Sequence, residues 1–125
     1  MFDEGLMKTA NTLVAYCREG KEAQGLNELY APEAVSVEAA DMGGTGAETK
    51  GLDGIKGKHE WWFGAHEVHG GNVEGPFFHG GDRFGVIFEM DVTNKESGQR
   101  MQMKELGVYT VKDGKIVREE FYYSV

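Results

Sequence analysis

Cysteine, proline and positive charge are all scarce in this chain. A single cysteine, Cys17, among 125 residues excludes an internal disulfide and fits a reducing cytoplasm. No run of about 18 apolar residues occurs, so no helix is expected to span a membrane. Acids stand in the opening Met1-Phe2-Asp3-Glu4 where a signal peptide carries bases, so no secretion signal is expected. Thirteen bases against 21 acids leave a net charge of −8, which disfavours nucleic acid and anionic membrane as partners. There are only two prolines but 19 glycines. The glycines crowd between Gly43 and Gly85 and read as turns and bends rather than a flexible linker.

Hydrophobic residues at 40% and charged residues at 27% describe a globular chain. At this length it should form one domain over residues 1–125 and bury about two-thirds of its unfolded surface. Phe2, Leu6, Ala10, Leu13, Val14 and Cys17 recur every three or four residues, an amphipathic helix that Gly20 can stop. A short helix over Lys21–Tyr30 places Ala23, Leu26, Leu29 and Tyr30 inward and closes before Pro32. Alternation over Ala34–Ala39 predicts a strand. Met42–Gly51 reads as a loop, and Asp53 can cap a third helix that runs to about Ala65. Strand-like runs follow over 67–79, 83–93, 99–111 and 115–124. Asp113-Gly114 is a two-residue hairpin signal. Gly85 and Gly107 interrupt long strands, where a glycine often marks a bulge or bend. Helices followed by a meander make an α+β domain.

Three stretches carry a family resemblance. They are Leu29-Tyr30-Ala31-Pro32-Glu33-Ala34-Val35 before the first strand, Gly51-Leu52-Asp53-Gly54-Ile55 opening the third helix, and Val108 to Ile116 at the last hairpin. In this order and spacing the chain resembles the nuclear transport factor 2-like (cystatin-like) superfamily, and more narrowly its SnoaL-like and ketosteroid isomerase-like branch. The resemblance implies three helices packed in the concave face of a curved, mostly antiparallel sheet, a cone with an internal pocket. It also implies a fold that is often a homodimer, and it does not by itself imply one activity.

Several side chains are candidates for that interior. By the resemblance, Glu38 falls where ketosteroid isomerases place their general base. Burial in an apolar cone would raise its pKa toward neutrality; the bland alternative is a solvated strand end. The isomerase's oxyanion tyrosine falls on Leu13 or Val14, and its protonated aspartate near Gly107. None of these can donate a side-chain hydrogen bond. On a helical wheel His59 shares the apolar stripe of Ile55, Trp62 and His66. It reads as an acid, base or donor, or else as a satisfied core histidine.

On the last hairpin, a two-residue turn sets Tyr109 opposite Arg118, Gly107 opposite Glu120 and Glu105 opposite Tyr122. The family pattern turns the Tyr109 face inward, which would line the pocket with Met103, Glu105, Tyr109, Arg118, Glu120 and Tyr122. A one-residue slip would exchange the faces. Tyr16, Phe84, Val86, Phe88 and Met90 are further wall candidates, or plain core. His59-Glu60-Trp61-Trp62-Phe63 lacks the second histidine of a zinc-binding His-Glu-x-x-His helix, and no metal or cofactor is expected.

The expected partner is therefore a small organic ligand. If the protein is an enzyme, the chemistry is cofactor-independent isomerisation, cyclisation or dehydration next to a carbonyl. Glu38, His59 and Glu105 are the catalytic candidates. The competing expectation is a non-catalytic dimeric ligand-binding or accessory module of the same fold.

Overall fold

The computed structural model describes residues 3–41 and 46–124. Its elements are α1 (Glu4–Arg18), α2 (Glu22–Leu29), β1 (Tyr30–Val37), β2 (Glu48–Lys50), α3 (Leu52–Ala65), β3 (His66–His79), β4 (Arg83–Asn94), β5 (Arg100–Lys112) and β6 (Lys115–Tyr122). The six strands form one curved sheet in the order β2-β1-β6-β5-β4-β3. Every neighbouring pair is antiparallel except β1 and β6, which run parallel. This is the α+β architecture expected. Phe2 of the predicted first stripe, and residues 42–45 of the predicted loop, lie outside the described residues.

α1 forms because its apolar positions share one face and its first turn is capped. The Asp3 carboxylate accepts the Leu6 N–H at 3.0 Å, which satisfies one orphan donor. Leu6, Ala10, Leu13 and Val14 are buried. Thr9 is buried with them, and its hydroxyl donates to the Gly114 carbonyl at 2.7 Å, tying α1 to the last hairpin. That turn is as read: Asp113 and Gly114 both have positive φ, 52° and 76°, as a type I′ turn requires.

Three local readings are corrected. The chain leaves α2 at Tyr30 and is already a strand through Pro32. Ala23 points to solvent, and Gly25 and Leu26 are buried instead. Gly51, at φ 90°, is the residue before α3, and Asp53 lies inside its first turn.

The core lies between α1, α3 and the concave face of the sheet. Phe84, Ile55, Ile116, Leu6, Val14 and Val86 are almost wholly buried, each contributing about 1.5–3 kcal/mol by the usual burial scale. Phe84 and Tyr109 stack across β4 and β5 with ring centroids 4.9 Å apart.

Burial relaxes along the strands. Phe88, Met90, Met103, Glu105, Phe121 and Tyr123 are only half-buried, so burial is thinner at this end of the cone. Gly107 marks where the packed end begins. No bulge occurs at Gly107, where β4 and β5 pair in unbroken register, whereas beside Gly85 the register of β3 shifts between Glu74 and Phe77. The absence of a side chain is what matters. A Cβ at Gly107 would stand 3.0 Å from the ring of Tyr109, 3.1 Å from Phe88 and 3.2 Å from Phe121.

The bulge that matters is in β6. Val111 pairs with Ile116, but Thr110 pairs with Arg118, so Val117 is an extra residue. Beyond it every side chain of β6 changes face. Tyr109 therefore faces Glu119, and Gly107 faces Phe121.

Gly107→Ala is expected to lower stability by about 1–3 kcal/mol through overpacking of the three rings. The urea midpoint should fall with an unchanged m-value. An unchanged midpoint would mean that the rings part without cost.

Candidate functional site

β1 supplies the floor of the site. Its alternation turns Ala34, Ser36 and Glu38 toward the helices. Ala34 and Ser36 are fully buried, and the Glu38 side chain is about one quarter exposed, at 24%. The parallel register sets Ser36 beside Glu119. Glu119 is only 4% exposed. Its carboxyl accepts from the Tyr30 hydroxyl and from Ser36 Oγ at 2.6 Å. Burial pushes Glu119 above the usual carboxylate range. The bonds from Ser36 and Tyr30 and the cation of Lys58 pull it back in part, and the charge of Glu38 pushes it further up.

Lys58 reaches into this cluster from α3. Its ammonium donates to Ser36 Oγ at 2.5 Å and to Glu38 Oε1 at 3.4 Å. It also lies 5.6 Å from the centre of the Phe121 ring, a cation–π distance. The Tyr123 hydroxyl donates to the other Glu38 oxygen at 3.4 Å. One chain of contacts thus runs Tyr30, Glu119, Ser36, Lys58, Glu38, Tyr123.

Glu105 faces the same space from β5, directly opposite Phe88. Among the described residues its carboxyl makes no hydrogen bond and no ion pair. Burial, and then the negative charges of Glu38 and Glu119, push it up from 4.5 to about 7, against the opposing cation of Lys58. A carboxyl of that kind changes protonation near neutral pH, as an acid–base group must. Burial followed by the charge of Glu119 holds the hydroxyl of Tyr109 well above its ordinary range. The Tyr30 hydroxyl is raised in the same way, so both phenols keep their protons. Cys17 is pushed up to about 12, mainly by burial, and its thiol is inert.

The structure brings together some of the sequence candidates and separates others. Glu38, Glu105, Phe88, Met103 and Tyr109 share the concave side. Arg118, Glu120 and Tyr122, expected inward, lie on the outer face because of the extra residue at Val117. There Arg118 Nε donates to Glu120 at 3.1 Å, and the Tyr122 hydroxyl donates to the same carboxylate at 3.3 Å. Tyr16 also leaves the interior. It packs against Gly25 at the α1–α2 contact, and its hydroxyl donates to Glu28. His59 is half-buried with its ring 4.7 Å from Phe63. Burial, and then neighbouring Lys58, lower its pKa, so it is neutral at pH 7. Trp62 stacks on His66 at 4.4 Å. Among the described residues neither His59 nor Trp62 is bonded to the carboxyls.

Five participants were missed: Lys58, Ser36, Glu119, Tyr30 and Tyr123. Lys58 had a signal, since it lies three residues after Ile55 and one before His59 on the inward stripe. Ser36 had one too, alternating with Ala34 and Glu38. Glu119 and Tyr123 belong to the face that a one-residue slip would turn inward, and no sequence feature announced the bulge that makes that slip. No group of residues suited to hold a metal ion occurs among the described residues.

Comparison with known proteins agrees with this architecture. The family model for the SnoaL-like domain matches residues 7–123. A Mesorhizobium loti protein with the provisional name SnoaL-like polyketide cyclase [carbohydrate phosphatase] is 40% identical. Its structure superposes with a TM-score of 0.87, covering 94% of this chain and 97% of the other. The Δ5-3-ketosteroid isomerase of a Mycobacterium species superposes at 0.70 with 16% identity, covering 96% and 93%. TerC, co-crystallised with polyporic acid, superposes at 0.71 with 21% identity, covering 97% and 92%. These last two show the fold alone. No match was found among the curated proteins. With the model spanning nearly the whole chain and a 40% identical relative matching its fold, this protein belongs to the SnoaL-like domain family.

Proposed function

We propose that this chain binds a small carbonyl compound at the less buried end of its cone and moves a proton on it without a cofactor. The outcome would be isomerisation, cyclisation or dehydration. The observation that carries the reading is Glu105, a half-buried carboxyl with no protein partner and a pKa pushed up to about 7. Its neighbour Glu38 is paired instead, to Lys58 and Tyr123. Two carboxyls in unlike environments are the raw material of acid–base chemistry. For isomerisation, Glu38 takes the proton from the carbon next to the carbonyl, and the C–H electron pair moves into an enolate. Glu105 in its protonated form donates to the carbonyl oxygen, and the carbon proton returns from Glu38 at a different position. Neutral His59, one residue from Lys58, is kept as a hydrogen-bonding candidate, with Trp62 as wall. Phe88, Met103 and Tyr109 are the apolar lining.

The polyketide cyclase name of the 40% identical relative supports this class of chemistry. The ligand named with TerC, polyporic acid, supports a small organic ligand. A homodimer would use the outer sheet face, where Leu106 and Tyr122 are 38% and 53% exposed. A reducing cytoplasm suits the lone thiol of Cys17.

A carboxyl-carbon NMR titration, assigned with Glu105→Gln and Glu38→Gln, is expected to place Glu105 near 7. Each of these variants should then lose about 10²–10⁴-fold of the turnover of an enolisable carbonyl substrate found by screening. A Glu105 midpoint near 4.5 would remove the acid–base reading and leave a ligand-binding module without chemistry.

Stability offers an independent check. Native Glu105 holds its proton up to about 7, whereas the unfolded chain releases it near 4.5. The native state binds more protons between these values, so stability falls as pH rises through that window. Glu105→Gln is therefore expected to be more stable than wild type at pH 8, by up to about 3 kcal/mol, and equal to it below about pH 4. Thermal melts at the two pH values measure the difference.

A further inference from the structure

The interior holds three carboxyls but one ammonium. Arg18 is exposed and donates to the Val73 carbonyl, and Arg118 is spent on Glu120 outside the cone. Among the described residues, Lys58 is the only cation bonded to the polar groups of the concave side. Proton abstraction next to a carbonyl leaves negative charge on the oxygen, which needs preplaced donors. The positions where donors would be expected by resemblance are barren. Leu13 and Val14 are buried apolar side chains, and Gly107 is roofed by three rings.

Resting on the reading above, we propose that Lys58 is the anion-binding residue of this site. In this role it selects ligands whose reacting oxygen becomes an enolate or phenolate. Four observations converge on it. The ammonium has three N–H donors, and only two have acceptors among the described residues. One of those two contacts, to Glu38, is long at 3.4 Å and easily exchanged for a ligand oxygen. The side chain is one quarter exposed, at 25%, so it is reachable from the less buried end. Its contact with Ser36 at 2.5 Å and its seat beside the Phe121 ring fix where the charge points. The aromatic surfaces of Phe88 and Phe121 flank the same space and suit a planar, conjugated ligand. The groups facing Lys58 are Glu38 and Ser36, with Glu105, Glu119, Tyr30, Tyr109 and Tyr123 around them. Glu119 is occupied by Tyr30 and Ser36 and reaches the ammonium only through Ser36, so among the described residues Glu38 is the one carboxyl bonded to Lys58.

The probe is 4-nitrophenol, whose phenolate is yellow and whose neutral form is not. It would be titrated with pH in the presence of excess wild-type protein, Lys58→Met and Lys58→Arg, with the carboxyl-carbon signal of Glu105 followed in parallel. In wild type the bound phenol should ionise at lower pH than the free phenol. Lys58→Met should weaken phenolate binding about tenfold or more, the size expected for losing a charged donor. Lys58→Arg keeps the charge and should retain most of the effect, which separates anion binding from damage to the fold.

If the probe shifts the Glu105 signal but Lys58→Met holds phenolate as tightly as wild type, the role of Lys58 is overturned and the site reading stands. If the probe leaves Glu105 unmoved in all three proteins, both are overturned.

Discussion

Ser36 stands beside Glu119 because β1 and β6 run parallel, and the polar interior grows from that register. A carboxyl as buried as Glu119 is costly unless its oxygens are occupied. Tyr30 and Ser36 occupy them, and Ser36 in turn receives the ammonium of Lys58. The serine is both donor and acceptor, so it couples a fully buried acid to a partly exposed base. Removing its hydroxyl would leave two charged groups to find new partners in a space with few.

The same contacts hold the layers together. Tyr30 opens β1, Lys58 belongs to α3, and Glu119 belongs to β6. The network therefore pins one helix to two strands at the point where hydrophobic burial begins to thin. Apolar packing and titratable groups meet along the strands, since buried Glu119 stands opposite Tyr109.

Much of this fold is legible in the residues. The spacing of Leu6, Ala10, Leu13 and Val14 gives α1, and Asp113-Gly114 gives the last turn, because both signals are local. The meander follows from turn chemistry between long strands. The parallel pairing of β1 with β6 joins segments about 80 residues apart, and no local rule specifies it. β2 is three residues long and two of them are exposed, too short for any period to show. Within the site, Glu38 and Glu105 were legible through alternation and resemblance. Lys58 was passed over because lysine on a helix usually means a solvated face. Its position beside Ile55 and His59 outweighed that expectation.

The extra residue at Val117 has a meaning beyond packing. Past that point β6 carries two complete sets of side chains on opposite faces. One is Glu119, Phe121 and Tyr123; the other is Arg118, Glu120 and Tyr122. One residue decides which set looks into the cone and which looks out. The strand is in effect a two-sided key, with an acid and two rings cut on one edge and an arginine, an acid and a phenol on the other. Within this fold, inserting or deleting a single residue at the hairpin can recast the charge of the interior without substituting any residue that lines it.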